Sequence, residues 1–360
     1  MTPLEREIRA LVAAEGPIPV DRYMALCLGH PAHGYYATRD PFGAAGDFVT
    51  APEISQMFGE LLGLWAATVF ESMGRPGKIL LVELGPGRGT LMVDALRAAR
   101  ALPSFAGAID VHLVETSPVL RERQRAALAG RAPAAWHERI EDLPPGPAIV
   151  IANEFFDALP IRQFVRTETG WRERLVGVDA DGRLAFGIAP HPAAGFMPPP
   201  VALPPGAVVE VPEAAIRCVR SLGARLVAEG GAMLLIDYGY DGFATADTLQ
   251  AVRRHRPIDP LDAPGAADLT AHVPFGLLAA AARAAGAAVY GPVPQADFLE
   301  RLGLRLRAER LAAAAGAGQR AAIEAAVERL TERSPTGMGS LFRALAVADP
   351  RLPEPPGFAS

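Results

Sequence analysis

KILLVELGPGRGTLMVDALRAAR, Lys78 to Arg100, decides the fold. Ile79 to Leu84 is a short apolar run without alternation, the pattern of a strand buried on both faces of a parallel sheet. It stops at Gly85-Pro86-Gly87-Arg88-Gly89, a turn-rich segment. Leu91, Val93, Ala95, Leu96 and Ala99 then carry helical spacing. Strand, glycine loop and helix in that order make the first half of a βαβ unit. The order repeats downstream. IDVHLVETS (Ile109–Ser117) reads as a second strand and PVLRERQRAALAG (Pro118–Gly130) as a second helix. PAIVIANEFF (Pro147–Phe156) reads as a third strand, so the expected fold is α/β with a doubly wound parallel sheet.

Outward from this core the pattern changes. RQFVRTETGWRERLVGVDADGRLAFG (Arg162–Gly187) alternates apolar and polar residues, with turn signals at Thr169-Gly170 and Asp181-Gly182. It reads as an inserted antiparallel β-meander. Ala214 to Glu229 and Leu277 to Ala285 read as helices, and GGAMLLIDYGY (Gly230–Tyr240) as another buried strand. Toward the N-terminus, Thr2-Pro3-Leu4-Glu5 forms a capping box. Asp21 is expected to cap a second helix, and Thr50-Ala51-Pro52-Glu53 to launch a third through Thr68. Two Ala-rich helices, LGLRLRAERLAAAAG and AAIEAAVERL, dominate the C-terminal end and offer a cap or a homodimer surface.

Composition excludes several classes. The chain has 360 residues, 35 Lys+Arg against 40 Asp+Glu, and 50% hydrophobic residues. That supports a large core and rules out global disorder. A net charge of −5 argues against nucleic-acid binding. Lys78 is the only lysine, a skew that carries no functional reading. No apolar run reaches membrane-spanning length, and MTPLEREIRA has neither a signal-peptide h-region nor the acid-poor, Arg-rich character of a transit peptide. With Cys27 and Cys218 far apart, the expectation is a reducing, cytoplasmic setting of bacterial type without membrane insertion. Cys27, His30 and His33 lack a second ligand pair, so no metal is expected. Ser117-Pro118 lacks a nucleophile elbow.

The candidate site lies at the carboxyl ends of the parallel strands. Gly85, Gly87 and Gly89 let backbone approach a ligand closely, with a helix N-terminus facing it. Their G-x-G-x-G spacing differs from the dinucleotide fingerprint. Glu83, two residues earlier, is hostile to a pyrophosphate and favourable to an ammonium or sulfonium; an ordinary βα turn is the alternative. Glu115, ending the second strand, can accept both hydroxyl hydrogens of a ribose. It lies farther from Gly85 than the roughly 20 residues of an NAD fingerprint. Asp142 could accept an adenine amino hydrogen, and Asp47 could fold a lid over a cofactor; each is equally readable as a loop acid. Asn153, Glu154 and Asp157 end the third strand, and Asp237 ends a later one.

This constellation resembles the motifs of class I S-adenosylmethionine (SAM) methyltransferases. Longer blocks narrow the resemblance: GDFVTAPEISQMFGELLGLW (Gly46–Trp65), IANEFFDALPIRQF (Ile151–Phe164), LIDYGY (Leu235–Tyr240), DLTAHV (Asp268–Val273), GPVPQADFLERLGL (Gly291–Leu304) and PTGMGSLFRALA (Pro335–Ala346). They are similar to the MidA family, that of the mitochondrial complex I assembly methyltransferase, over nearly the whole chain. One departure is Pro274, where relatives are expected to carry an acid.

The resemblance implies a Rossmann-like class I methyltransferase sheet. An N-terminal helical lid would occupy 1–74 and the SAM-binding core 75–300, with its β insertion at 161–206. C-terminal helices would occupy 301–360. It also implies SAM as cofactor and a protein substrate, a subunit of respiratory NADH–quinone oxidoreductase, methylated to symmetric dimethylarginine. Asp47, Glu83, Gly85, Gly87, Gly89, Glu115, Asp142 and Asn153 are then the cofactor-side candidates. On the catalytic side, Glu154 would be the main acid orienting a guanidinium, Asp157 its helper and Asp237 a weaker candidate. Three other readings stay open: an assembly protein that uses SAM structurally, a methyltransferase for another protein or a small molecule, and, disfavoured by Glu83 and the glycine spacing, a dehydrogenase.

Overall fold

An eight-strand sheet organises the molecule: seven strands lie on one path, and the short strand Val273–Pro274 pairs beside the end of one of them. The computed structural model describes residues 1–38, 50–242 and 247–359. In chain order the strands on that path are β1 (Ile79–Leu84), β2 (Ile109–Val114), β3 (Ala134–His137), β4 (Ala148–Asn153), β5 (Gly231–Tyr240), β6 (Ala288–Pro294) and β7 (Phe342–Ala348). Their spatial order is β6-β7-β5-β4-β1-β2-β3. β1 pairs in parallel with β2 and with β4, and β4 with β5. β7 runs antiparallel between β5 and β6, with Ile236 opposite Ala344. This is the doubly wound α/β sheet expected from the sequence. Strand order reverses at β1/β4, which puts a crevice beyond the carboxyl ends of those two strands.

Alternation along β1 explains its unbroken apolar run. Ile79 and Leu81 point into one core with Trp65, Phe70 and Leu234. Leu80, Val82 and Leu84 point into another with Val150, Leu226 and Leu278. Both faces are covered by helices, so every position but Glu83 is apolar. Gln56–Ser72, Thr90–Ala99 and the C-terminal helices Leu304–Ala313 and Ala317–Thr331 cover the first face. Glu213–Glu229 and Phe275–Ala284 cover the second. On the first face the buried Glu60 accepts Arg97 at 2.9 Å and Arg307 at 2.7 Å, tying the helix Leu304–Ala313 to Gln56–Ser72 and Thr90–Ala99.

The inserted meander is present: Arg162–Thr167, Gly170–Val178 and Leu184–Ile188 pair antiparallel in sequence. It closes later than expected, because Val208–Val211 pairs with Arg162–Val165. A third core joins it to the N-terminal helices Pro3–Glu15 and Val20–Gly29, through Leu4, Ile8, Tyr23, Ile161 and Val176.

Three local expectations need correction. The Thr2 capping box is formed, but Asp21 sits in the first turn of a helix whose N-cap is Pro19. Thr50 starts only the short helix Ala51–Ile54 and makes no side-chain cap. The long helix starts anew at Ser55, whose hydroxyl accepts from Met57. The 301–360 stretch, expected as helical, also carries β7, which enters the middle of the sheet. Its run FRALAVA gains strand character from burial between β5 and β6, not from alternation.

Candidate active site

The crevice at the strand ends holds a cavity of about 560 Å³ and, beside it, a recess of about 40 Å³. Thr50, Gly85, Gly87 and Glu154 line both. The larger volume lies within the range of ligand-binding pockets.

The glycine loop forms the wall between them. Gly85 has φ +60°, and a Cβ there would meet Phe155 Cδ2 at 2.8 Å. Glycine is required twice over, by the left-handed backbone and by the phenyl ring against it. Gly89, also left-handed, is the N-cap of Thr90–Ala99. Glu83 lies beneath the loop and lines the recess. The Met92 amide at the start of that helix donates to its carboxylate, while its Oε2 is buried without a hydrogen-bond partner. Burial, and secondarily the charge of Glu115, pushes its carboxyl well above the usual range. A buried, unpaired carboxylate oxygen costs free energy until a donor or cation meets it.

Glu115 lines the larger cavity from the end of β2. Its Oε1 accepts the Ser117 amide at 2.8 Å and its Oε2 accepts Gln124 Nε2 at 3.2 Å. Each oxygen keeps a further lone pair. Gln124, fully buried, also donates to the Gly87 carbonyl at 2.8 Å and accepts Trp136 Nε1 at 2.9 Å. It ties the glycine loop to the strand-end acid. Sequence reading missed it because a glutamine in an amphipathic helix carries no signal of its own.

The turn after β4 brings the other acids in. Glu154 has φ +50°, uncommon for a residue with a side chain. Its amide donates to the Ile236 carbonyl at 2.9 Å. Its Oε1 accepts the Ala51 amide at 3.1 Å and Asn153 Nδ2 at 3.2 Å. Desolvation, with the charge of Asp157 adding, pushes its carboxyl up to about 7. Asn153 lines the recess and its buried Oδ1 has no partner. Asp157 lines the cavity; its Oδ2 accepts the Tyr238 hydroxyl at 2.7 Å, and its buried Oδ1 is without a partner. Burial pushes its carboxyl up to about 6.

Other sequence candidates are placed differently. Asp237, fully buried, turns toward backbone: Oδ2 accepts the amides of Phe155, Phe156 and Asp157 at 3.0–3.2 Å, and Oδ1 that of Tyr238 at 2.9 Å. It lines neither cavity and holds the turn in shape. Asp142 is exposed in a 3₁₀ turn and lines neither cavity. Asp47 lies outside the described residues. The structure adds Tyr36, Tyr238, Asp268, Thr270 and His272 to the cavity wall. Asp268 and His272 stood within a family-like block, but nothing local gave them a role.

Four carboxylates (Glu115, Glu154, Asp157 and Asp268) thus line one cavity, and no Lys or Arg is among its described lining residues. Comparison with known proteins fits this arrangement. Residues 61–293 match a family described as "Putative S-adenosyl-L-methionine-dependent methyltransferase". The chain belongs to this methyltransferase family. It is 39% identical over 368 residues to a Danio rerio protein named protein arginine methyltransferase NDUFAF7, mitochondrial, covering 95% of this chain and 86% of that one. The human protein of that name is 40% identical, covering 85% and 75%. A Burkholderia thailandensis structure with S-adenosyl-homocysteine bound superposes with a TM-score of 0.84 at 30% identity, covering 98% of this chain and 93% of that one.

The family uses S-adenosyl-L-methionine, and the residues here suit it. Glu83 Oε2 and Asn153 Oδ1 are buried acceptors lacking donors, beside a glycine loop that leaves room for a ligand. One expectation is overturned. The relatives from zebrafish, fruit fly and human are named as mitochondrial proteins, against the reading of a cytoplasmic protein of bacterial type. Among the described residues no helix is long and apolar enough to cross a membrane.

Proposed function

We propose that this methyltransferase acts on arginine side chains of a protein, and that its target is a subunit of respiratory NADH–quinone oxidoreductase, carried to symmetric dimethylarginine. The observation that carries the arginine reading is the cavity with four carboxylates and no basic lining residue. Such a wall favours two cations at once, the sulfonium of the donor and a guanidinium. The names of the relatives support the same reading, and the complex I target rests on the family resemblance.

In this reading Gly85, Gly87 and Gly89 let backbone approach the methionine part of the donor. Glu83 and Asn153 offer it buried acceptors, and Glu115 takes the ribose hydroxyls. Bound there, the donor supplies an electrophilic methyl group. The chain's own task is positioning, because methyl transfer is an in-line displacement. Glu154 and Asp157 fork the guanidinium, localise its charge on the nitrogens they hold, and leave the remaining nitrogen more nucleophilic. As the nitrogen–carbon bond forms and the carbon–sulfur bond breaks, the methylated nitrogen loses a proton. A carboxylate with a raised pKa receives it more readily than an ordinary one. Phe155, packed against Gly85, keeps the wall between the two ligands apolar.

Incubation with methyl-labelled SAM and recombinant complex I subunits tests the proposal. Label on an arginine, lost in Glu154→Gln, supports it. A stable complex with a subunit and no label transferred overturns it in favour of an assembly protein that holds SAM structurally.

A further inference from the structure

The acid farthest along the chain, Asp268, is held in the cavity by a residue of the N-terminal helices. Tyr36, in the short helix Tyr35–Thr38, donates its hydroxyl to Asp268 Oδ1 at 2.9 Å. The backbone carbonyl of the same Tyr36 accepts the Ser117 hydroxyl at 2.6 Å. Ser117 in turn gives its amide to Glu115. One tyrosine therefore connects the acid at the end of β2 to an acid on the strand Asp268–Thr270. That strand continues into Ala271, whose amide donates to the Asp157 carbonyl at 2.9 Å. Asp157 and Asp268 thereby line the same cavity from two hydrogen-bonded segments, and the buried Asp157 Oδ1 there lacks a donor.

A guanidinium has five N–H donors spread round a plane. Glu154 and Asp157, three residues apart on one turn, approach it from one side. A third carboxylate from a separate segment can take a further N–H of the nitrogens already held and leave the attacking nitrogen free. We infer that Asp268 is a further substrate-binding acid, contacting the guanidinium from the segment beside Asp157, and that Tyr36 is its positioning residue, linking substrate binding to the Glu115 side of the cavity through Ser117. This inference rests on the arginine reading above. It goes beyond that reading by giving the N-terminal helices a part in choosing the substrate. Tyr36 cannot itself neutralise a cation, but its hydroxyl directs Asp268 Oδ1.

The test uses the full chain saturated with S-adenosylhomocysteine. Wild type, Asp268→Asn, Asp268→Glu, Tyr36→Phe and Glu154→Gln are titrated by ligand-observed NMR. The probes are Nα-acetyl-arginine amide and its neutral isostere, Nα-acetyl-citrulline amide. The expected result is a preference of wild type for arginine that falls about tenfold in Asp268→Asn. It should fall about threefold in Tyr36→Phe and be partly restored in Asp268→Glu, with S-adenosylhomocysteine affinity unchanged within about twofold. If Asp268→Asn and Tyr36→Phe keep the full preference while Glu154→Gln loses it, the role of Asp268 is refuted and the arginine reading stands. No arginine preference in wild type refutes both. Should Asp268→Asn not fold, Tyr36→Phe decides. Weaker S-adenosylhomocysteine binding with an unchanged arginine-to-citrulline ratio would mark Tyr36 as purely structural and overturn the inference.

Discussion

The carboxylate of Asp237 accepts the backbone amide of Asp157 at 3.2 Å, so an acid that cannot reach the cavity sets the position of one that lines it. The same Oδ2 holds the two preceding amides, which fixes the turn that aims Glu154 and Asp157. Asp237→Asn would place an amide group, itself a donor, against some of these N–H groups. We expect a loss of about 2–4 kcal/mol in stability by urea denaturation. We also expect lower turnover with unchanged positions of the pH inflections. A shifted inflection would instead mark Asp237 as a proton carrier.

Glu154 and Asp157 set a pH dependence whose sign can be worked out. Their folded pKa values, about 7 and about 6, are raised above the ordinary 4.5 and 3.8. Between the ordinary and raised values the folded state binds more protons than the unfolded chain. Stability therefore falls as pH rises from about 4 to about 7. The double variant Glu154→Gln/Asp157→Asn should flatten that slope, by on the order of 6 kcal/mol across the window, in thermal melts without ligand. Activity moves the opposite way. The paired acids must be ionised to hold a guanidinium, so kcat/KM for an arginine substrate should rise toward a plateau above pH 7. A profile flat from pH 5 to pH 8 contradicts the pairing.

Gly85→Ala should be harmful for two separable reasons. Its φ of +60° strains any side chain, and the new methyl would meet Phe155 Cδ2 at 2.8 Å. A cost of about 1–3 kcal/mol and roughly tenfold weaker S-adenosylhomocysteine binding are expected. Adding Phe155→Ala removes the clash but not the strain. In a double-mutant cycle the two changes should then couple favourably by about 1 kcal/mol. Strict additivity would show that the ring is not what the glycine accommodates.

Glu115→Gln replaces one carboxylate oxygen by a donor in a site that already receives Ser117 and Gln124 as donors. Calorimetry should show S-adenosylhomocysteine affinity reduced by about 30–300-fold. Free S-adenosyl analogues lacking the ribose hydroxyls should lose little further. An equal loss with both ligands would place the ribose elsewhere.

Local signals carried much of the fold. Ile79–Leu84 had to be a doubly buried strand because no polar residue interrupts it below Glu83. Gly85 had to end it because only glycine takes that backbone without strain. Val114-Glu115 and Asn153-Glu154 repeated the rule, so the crevice and three of its acids were readable from chain order alone. β7 was not, since FRALAVA lacks a period that separates strand from helix and becomes a strand only where β5 and β6 leave a gap.

What sequence determined by itself is the position of each acid along its strand, because strand ends are set by short-range apolar runs and turn residues. What tertiary structure alone decided is where each carboxylate points. Asp157 follows the end of β4 and Asp237, expected to end its strand, lies inside β5; one is left with an unpaired oxygen beside the cavity and the other is spent on four backbone amides. Tyr36 and Asp268 meet across 232 residues of chain. No local pattern encodes such a meeting; it exists because the third core packs the N-terminal helices against the paired strands Gln250–Arg253 and Asp268–Thr270, through Ala251 and Leu269.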